Sequence, residues 1–150
     1  MIVYNIRRAK YAKQLTSSGV ANRWNKNEEY VIYAGGSISL SALEMLAHRN
    51  TIQTNELYKL MVIEIDATRK DVTQISTKDL PENWRLMRSY PLLQQIGSDW
   101  YRQNKTLLLE VPSVLIPSER NYLVNTRHVS FYEKVKLLRT EDFGWDQRLL

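Results

Sequence analysis

Apolar positions along the chain follow two periods. "MIVYNI", residues 1 to 6, alternates, and "EYVIYA", 29 to 34, is β-branched and aromatic, so both stretches predict strands. The same reasoning predicts strands at "LYKLMVIEI" (57–65), "NYLVN" (121–125) and "HVSFYEKVKLLR" (128–139). "LLLEVPSVLIPS" (107–118) reads as a buried strand broken at Pro112 and again at Pro117. Helical spacing appears in "RRAKYAKQLT" (7–16), as a short helix, and in "PLLQQIGSDWYRQ" (91–103), where Gly97 weakens the middle. "LSALEMLAHR" (40–49) is a third helix, with Ser37 or Ser39 as its N-cap. Its Leu40, Leu43, Leu46 and Ala47 gather on one face of a helical wheel, with Glu44 at the edge. "SSGVAN" (17–22) and "VTQISTKDLPENWR" (72–85) read as loops. Strands and helices without regular βαβ alternation predict an α+β domain.

Length makes this one domain, spanning 1–150, able to bury roughly 70% of the surface its unfolded chain exposes. With 43% hydrophobic and 25% charged residues, the composition is that of an ordinary globule. There is no cysteine, which removes disulfides, thiolate nucleophiles and cysteine-based zinc sites. This fits a reducing compartment, and a cytoplasmic location is expected. No apolar run has membrane-spanning length, and "MIVYNIRRAK" lacks the apolar core of a signal peptide, so it is expected to be kept as structure.

Charge changes the picture at one end. Arg7, Arg8, Lys10, Lys13, Arg23 and Lys26 all precede the first acid, Glu28. Such a one-signed segment suits an anionic partner or a solvated face. A non-catalytic module that binds nucleic acid or an acidic protein is therefore one reading, although the segment lacks the interleaved aromatics of single-strand binders.

The residues that could carry chemistry are few. No phosphate-binding loop, dinucleotide fingerprint or zinc-protease motif occurs, and neither histidine begins a metal spacing, so no metal is expected. "GGS" at 35–37 lies between a strand and a helix, where amides can face a phosphate or simply make the connection. Arg23, beside Trp24 and Asn25, offers a planar fork suited to a pyrophosphate, or a surface ion pair with Glu28 or Glu29. Tyr33 can line a cavity or fill the core. Glu44 is an exposed-edge residue or a partly desolvated carboxylate aimed at a site, with His48 one turn on. Ser113 follows a proline at a strand end and can orient a substrate or a neighbouring arginine, or cap a turn. Asn121 and Asn125 can tie loops to backbone groups.

Taken in order, "RWN", "VIYA", "ALEMLAH", "VPS" and "NYLVN" resemble the RES domain family, the toxins of RES–Xre toxin–antitoxin systems. "MIVY" and "AKYA" look like its opening, "LPENWR" and "IGSDWY" like its middle, and "FGWDQRLL" like its closing strand and tail. The residues that name the family match Arg23, Glu44 and Ser113. The resemblance implies an ADP-ribosyltransferase-like fold, a mixed sheet core with flanking helices. It implies NAD as substrate rather than bound cofactor, cleaved at the nicotinamide–ribose bond by hydrolysis or phosphorolysis. Transfer of ADP-ribose to a protein is the alternative outcome. Glu44, Arg23, Tyr33 and Ser113 would be the catalytic set, with Trp24, Asn25 and Asn121 also at the NAD site. The implied partner is an Xre-type antitoxin, through which alone DNA would be contacted. The chain departs from the family at Asn5, where arginine is common and Arg7 or Arg8 is the nearest replacement. It departs again at Ala21 and Asn22, where paired glycines are common, and at Thr126, where proline is usual.

Overall fold

In a computed structural model, which describes residues 1–48 and 52–150, the strands assemble into one seven-stranded sheet. They are β1 (Ile2–Arg8), β2 (Val31–Gly35), β3 (Tyr58–Ile65), β4 (Val72–Gln74), β5 (Leu108–Pro112), β6 (Arg120–Asn125) and β7 (Val135–Phe143). The order is β4-β5-β6-β2-β1-β3-β7, antiparallel throughout except for the parallel pair β4 and β5. Among the described residues three α-helices accompany it: α1 (Ile38–Ala47), α2 (Tyr90–Gln103) and the single turn α3 (Phe131–Lys134).

Alternation along each strand sorts the side chains onto two faces. One face gathers Val3, Ile32, Ala34, Met61, Ile63, Leu108 and Val124, packed with Ala12, Phe131 and Val135. The other carries two separate clusters. On the β5–β6–β2 half, Trp24, Val31, Leu109, Val111 and Leu123 pack with Leu93 and Trp100 of α2. On the β1–β3 half, Ile6, Leu60 and Val62 pack with Ala42 and Met45 of α1. Two helices on two halves of one face leave a furrow between them.

Several elements differ from the sequence reading for reasons of tertiary pairing. The helix expected over 7–16 is one 3-10 turn, Ala9–Tyr11, because β1 continues until Arg7 and Arg8 pair with Lys59 and Tyr58. The loop expected over 72–85 contains β4, whose Val72, Thr73 and Gln74 pair in parallel with Leu108, Leu109 and Glu110. The strand expected over 128–139 begins as α3, which buries Phe131, and becomes β7 only at Val135. α1 starts at Ile38, and Ser37 is its cap, accepting from the Leu40 amide at 3.0 Å. Its packed face is rotated from the one expected: Leu40 is buried with Ser41, whereas Leu43 and Ala47 are exposed. The last residue expected in that helix, Arg49, lies outside the described residues. α2 runs unbroken through Gly97, with Pro91 in its first turn, and ends at Asn104 in the left-handed conformation (φ 53°).

Candidate active site

The furrow deepens into a cleft where the sheet is least continuous. β1 and β2 share a single register pair, Tyr4 opposite Gly35. Beside it, Asn5 Nδ2 donates to the Tyr33 carbonyl at 2.6 Å and stands in for the missing ladder bond. α1 sits directly over this junction. A Cβ on Gly35 would collide with Ser41 Oγ, which bonds the carbonyls of Tyr4 and Ser37, each at 3.0 Å. The cleft encloses about 170 Å³. Its walls include Tyr4, Asn22, Arg23, Trp24, Tyr33, Glu44, Met45, His48, Pro112, Val114 and Asn121.

Glu44 lies one turn beyond Ser41, so the close seat of α1 on Gly35 carries it over the cleft. Asn121 is the cross-strand partner of Gly35 on β6, and its Nδ2 donates to Glu44 Oε1 at 2.6 Å. Ser113 Oγ donates to the same oxygen at 2.8 Å. Among the described residues nothing donates to Oε2. One oxygen of the carboxylate is therefore anchored by two donors, and the other remains available.

Arg23 occupies the tip of a tight turn. Asn22 and Asn25 exchange backbone bonds across it, at 3.1 and 3.3 Å, leaving Arg23 and Trp24 between them. Tyr33 fixes the turn from below. Its hydroxyl accepts from the Trp24 amide at 3.1 Å and donates to Asn25 Oδ1 at 2.6 Å. Burial pushes this phenol far above the usual tyrosine pKa, partly opposed by the bond from the Trp24 amide, so it stays protonated and able to donate. The Arg23 guanidinium lies 5.0 Å from the centre of the Tyr90 ring, and its Nη1 is buried without a hydrogen-bond partner. A buried donor left unpaired is costly, which is a reason to look for an anion there.

The surface ion pair considered for Arg23 does not form. Glu29 is 4% exposed and turns inward: it accepts from the Lys26 amide at 2.6 Å and from Ser98 Oγ at 2.5 Å. Its charged neighbour is Arg102, at 3.6 Å. Nor do the replacements suggested by Asn5 reach the cleft. Arg7 bonds Asn5 Oδ1 and the carbonyls of Tyr11 and Thr16, and Arg8 faces Glu56 at 3.9 Å. Lys10 shares that glutamate at 3.3 Å, so two members of the basic run face one acid from later in the chain.

The structure thus brings Arg23, Trp24, Tyr33, Glu44 and Asn121 to one cleft. Ser113 and Asn25 stand behind its wall. Ser113 is fully buried and, besides holding Glu44, accepts from the amides of Leu115 and Ile116, each at 3.1 Å. Asn25 is 1% exposed and ties together the carbonyls of Val20, Lys26 and Glu29. Asn125 ties loops, donating to Asn104 Oδ1 at 2.9 Å and accepting from the Arg127 amide at 2.9 Å. Sequence reasoning missed Tyr90, whose contact with Arg23 spans nearly half of the chain and leaves no local signal. It noted Asn22 only as a departure from glycine. Among the described residues no group of three or more His, Asp or Glu converges as metal ligands, and no helix is long and apolar enough to cross a membrane.

With this geometry in view, likeness to known proteins is informative. The profile of the RES domain matches residues 2–146. A protein named Toxin Res from Yersinia enterocolitica is 33% identical over 153 aligned positions, covering 99% of each chain. A Prs ADP-ribosylating toxin from a Sphingobium strain is 28% identical over 93% of this chain and 88% of its own. Among solved structures, the M. tuberculosis MbcT–MbcA toxin–antitoxin complex superposes with a TM-score of 0.73 at 16% identity, covering 95% of this chain and 84% of that one. The seven-stranded mixed sheet thus shares its fold with a chain of that complex.

Proposed function

The chain belongs to the RES domain family, and from that premise we propose that it is the toxin of a toxin–antitoxin pair, acting by breaking the nicotinamide–ribose bond of NAD. The observation that carries this reading is the pairing, in one cleft, of an arginine with an unpartnered buried Nη1 and a glutamate anchored through one oxygen only.

In this account Arg23 takes the pyrophosphate, for which a guanidinium fork is well matched. The nicotinamide ring lies against the aromatic and apolar wall of Tyr33, Tyr4 and Met45. The bond between C1′ and the ring nitrogen breaks, and its electron pair cancels the pyridinium charge. The ribose is left as an oxocarbenium ion, which the Glu44 carboxylate stabilises through Oε2. Water or phosphate adds at C1′, and an attacking water loses its proton to solvent. Neutral nicotinamide leaves without needing a proton from the protein. Asn121 and Ser113 act by holding Oε1, which fixes where the negative charge sits. Ligand sites commonly enclose about 300–1,000 Å³, so the cleft takes the nicotinamide end and the adenosine lies along its mouth.

A second reading keeps the same cation and changes what attacks it. The name of the Sphingobium relative supports transfer of ADP-ribose to a protein side chain. Labelled NAD incubated with cell extract distinguishes the two, since transfer alone leaves a labelled protein band. The solved toxin–antitoxin relative supports an antitoxin partner, which we take to be of the Xre type. Induced expression without antitoxin tests the whole reading. Growth should stop as the cellular NAD pool falls, and Glu44→Ala, expressed to the same level, should do neither. Arrest with an undiminished NAD pool and no labelled protein would overturn it.

A further inference from the structure

The Arg23 guanidinium has no ion pair among the described residues and one buried unpartnered nitrogen, yet it is held at a defined place. What holds it is not explained by Tyr33, whose hydroxyl reaches only the Trp24 amide and Asn25. The remaining contacts come from the first turns of α2. The Tyr90 ring lies under the guanidinium at 5.0 Å. The Tyr90 hydroxyl donates to Asn22 Oδ1 at 3.1 Å, and the same oxygen accepts from the Arg23 amide at 2.8 Å. One turn further along α2, Gln94 Nε2 donates to the Asn22 carbonyl at 2.9 Å.

We propose that Tyr90 and Asn22 form the positioning device for Arg23, the Tyr90 ring setting the plane of the guanidinium and Asn22 Oδ1 locking the turn that carries it to α2. The inference rests on the anion-binding part of the reading above. It also gives a role to the departure at position 22. A glycine there would permit the turn but supply no side-chain acceptor. Asn22 fits the turn and adds an oxygen that joins the Arg23 backbone to Tyr90. The ring partly compensates the guanidinium for the absent counter-ion, and its flat face leaves the in-plane N–H donors free for a ligand. Because Tyr90 begins α2, the clamp inherits the rigidity of a helix that is itself pinned against Trp24, where a Cβ on Gly97 would strike the Trp24 carbonyl.

Two measurements test this, one without ligand. Guanidinium proton resonances of Arg23, assigned by their loss in Arg23→Lys, should be displaced by the ring current in wild type and Tyr90→Phe. In Tyr90→Leu they should return to the position of free arginine. In the second, ADP-ribose is titrated calorimetrically. Tyr90→Leu should weaken binding about tenfold, the factor for ~1.4 kcal/mol of cation–π contact. Asn22→Gly should weaken it about fivefold, as for one lost hydrogen bond. In an Arg23→Ala background, Tyr90→Leu should cost no more than about twofold, since a residue acting through Arg23 has nothing left to position.

Equal losses with and without Arg23, or resonances unmoved in Tyr90→Leu, would overturn the proposal. If wild type fails to bind ADP-ribose, the NAD reading fails, while the resonances still decide whether Tyr90 positions Arg23. A thermal melt accompanies each variant. Should Tyr90→Leu be unfolded, Asn22→Gly leaves the ring in place and decides the question by the same titration and the same Arg23→Ala comparison.

Discussion

At the scale of single residues, Glu44 and Ser113 divide one task. Glu44 presents a carboxylate whose Oε1 is tied down, and Ser113 does part of the tying while it also caps the turn at Leu115 and Ile116. Glu44→Gln keeps the shape and removes the charge. It should lower the rate of nicotinamide release by a factor of about 100 or more, with an unchanged melting temperature. A rate within a few-fold of wild type would mean that the charge does not act on the reacting ribose. Ser113→Ala should behave differently, because it strips two amides of their acceptor and removes one of the two donors that anchor Glu44. A loss of about 1–3 kcal/mol in denaturant melts is expected, together with a lower kcat. A variant that loses stability but retains full kcat would assign Ser113 to the turn alone.

At the scale of elements, the cleft depends on how closely two helices approach the strands beneath them. α2 touches the Arg23 turn at Gly97, where a Cβ would strike the Trp24 carbonyl. Gly97→Ala raises helix propensity but forces the helix outward. A net destabilisation of about 1–3 kcal/mol is expected from overpacking, measurable by urea unfolding, and stabilisation would show that the approach is not constrained. On the opposite face, the turn before β4 is joined to the end of α3 by Asp71, which accepts from Lys134 Nζ through both oxygens at 2.9 Å. Its carboxyl is held below the usual aspartate range first by the Thr68 amide and then by Lys134. A depressed folded pKa stabilises the fold above the unfolded value of about 3.9. That contribution is lost as the pH falls from there through the lower folded pKa. Asp71→Asn should therefore be less stable than wild type at pH 7, with the gap closing as the medium is made more acidic than pH ~4. A gap independent of pH would contradict the linkage.

At the scale of the whole molecule, period and composition were enough to find the long strands and both substantial helices, since those segments bury one face whatever their neighbours. They were not enough for segments whose state is set by a distant partner. Arg7 and Arg8 look helical until β3 pairs with them, and β4 is a strand only beside β5. The site divides the same way. Taken alone, Arg23, Tyr33 and Glu44 each had an ordinary structural explanation, and the family resemblance was what joined them. The fold then brought Arg23, Tyr33 and Glu44 to one cleft, moved Ser113 and Asn25 behind its wall, and added Tyr90, which no local pattern marks. The shared cleft is the centre of the account, so its most direct test is chemical. Purified protein free of antitoxin is incubated with NAD, and nicotinamide is followed by chromatography beside folded Glu44→Gln and Arg23→Ala. The account predicts release by wild type, release slowed by a factor of about 100 or more in Glu44→Gln, and a raised KM for Arg23→Ala. Wild type indistinguishable from buffer, or from Glu44→Gln, would contradict it.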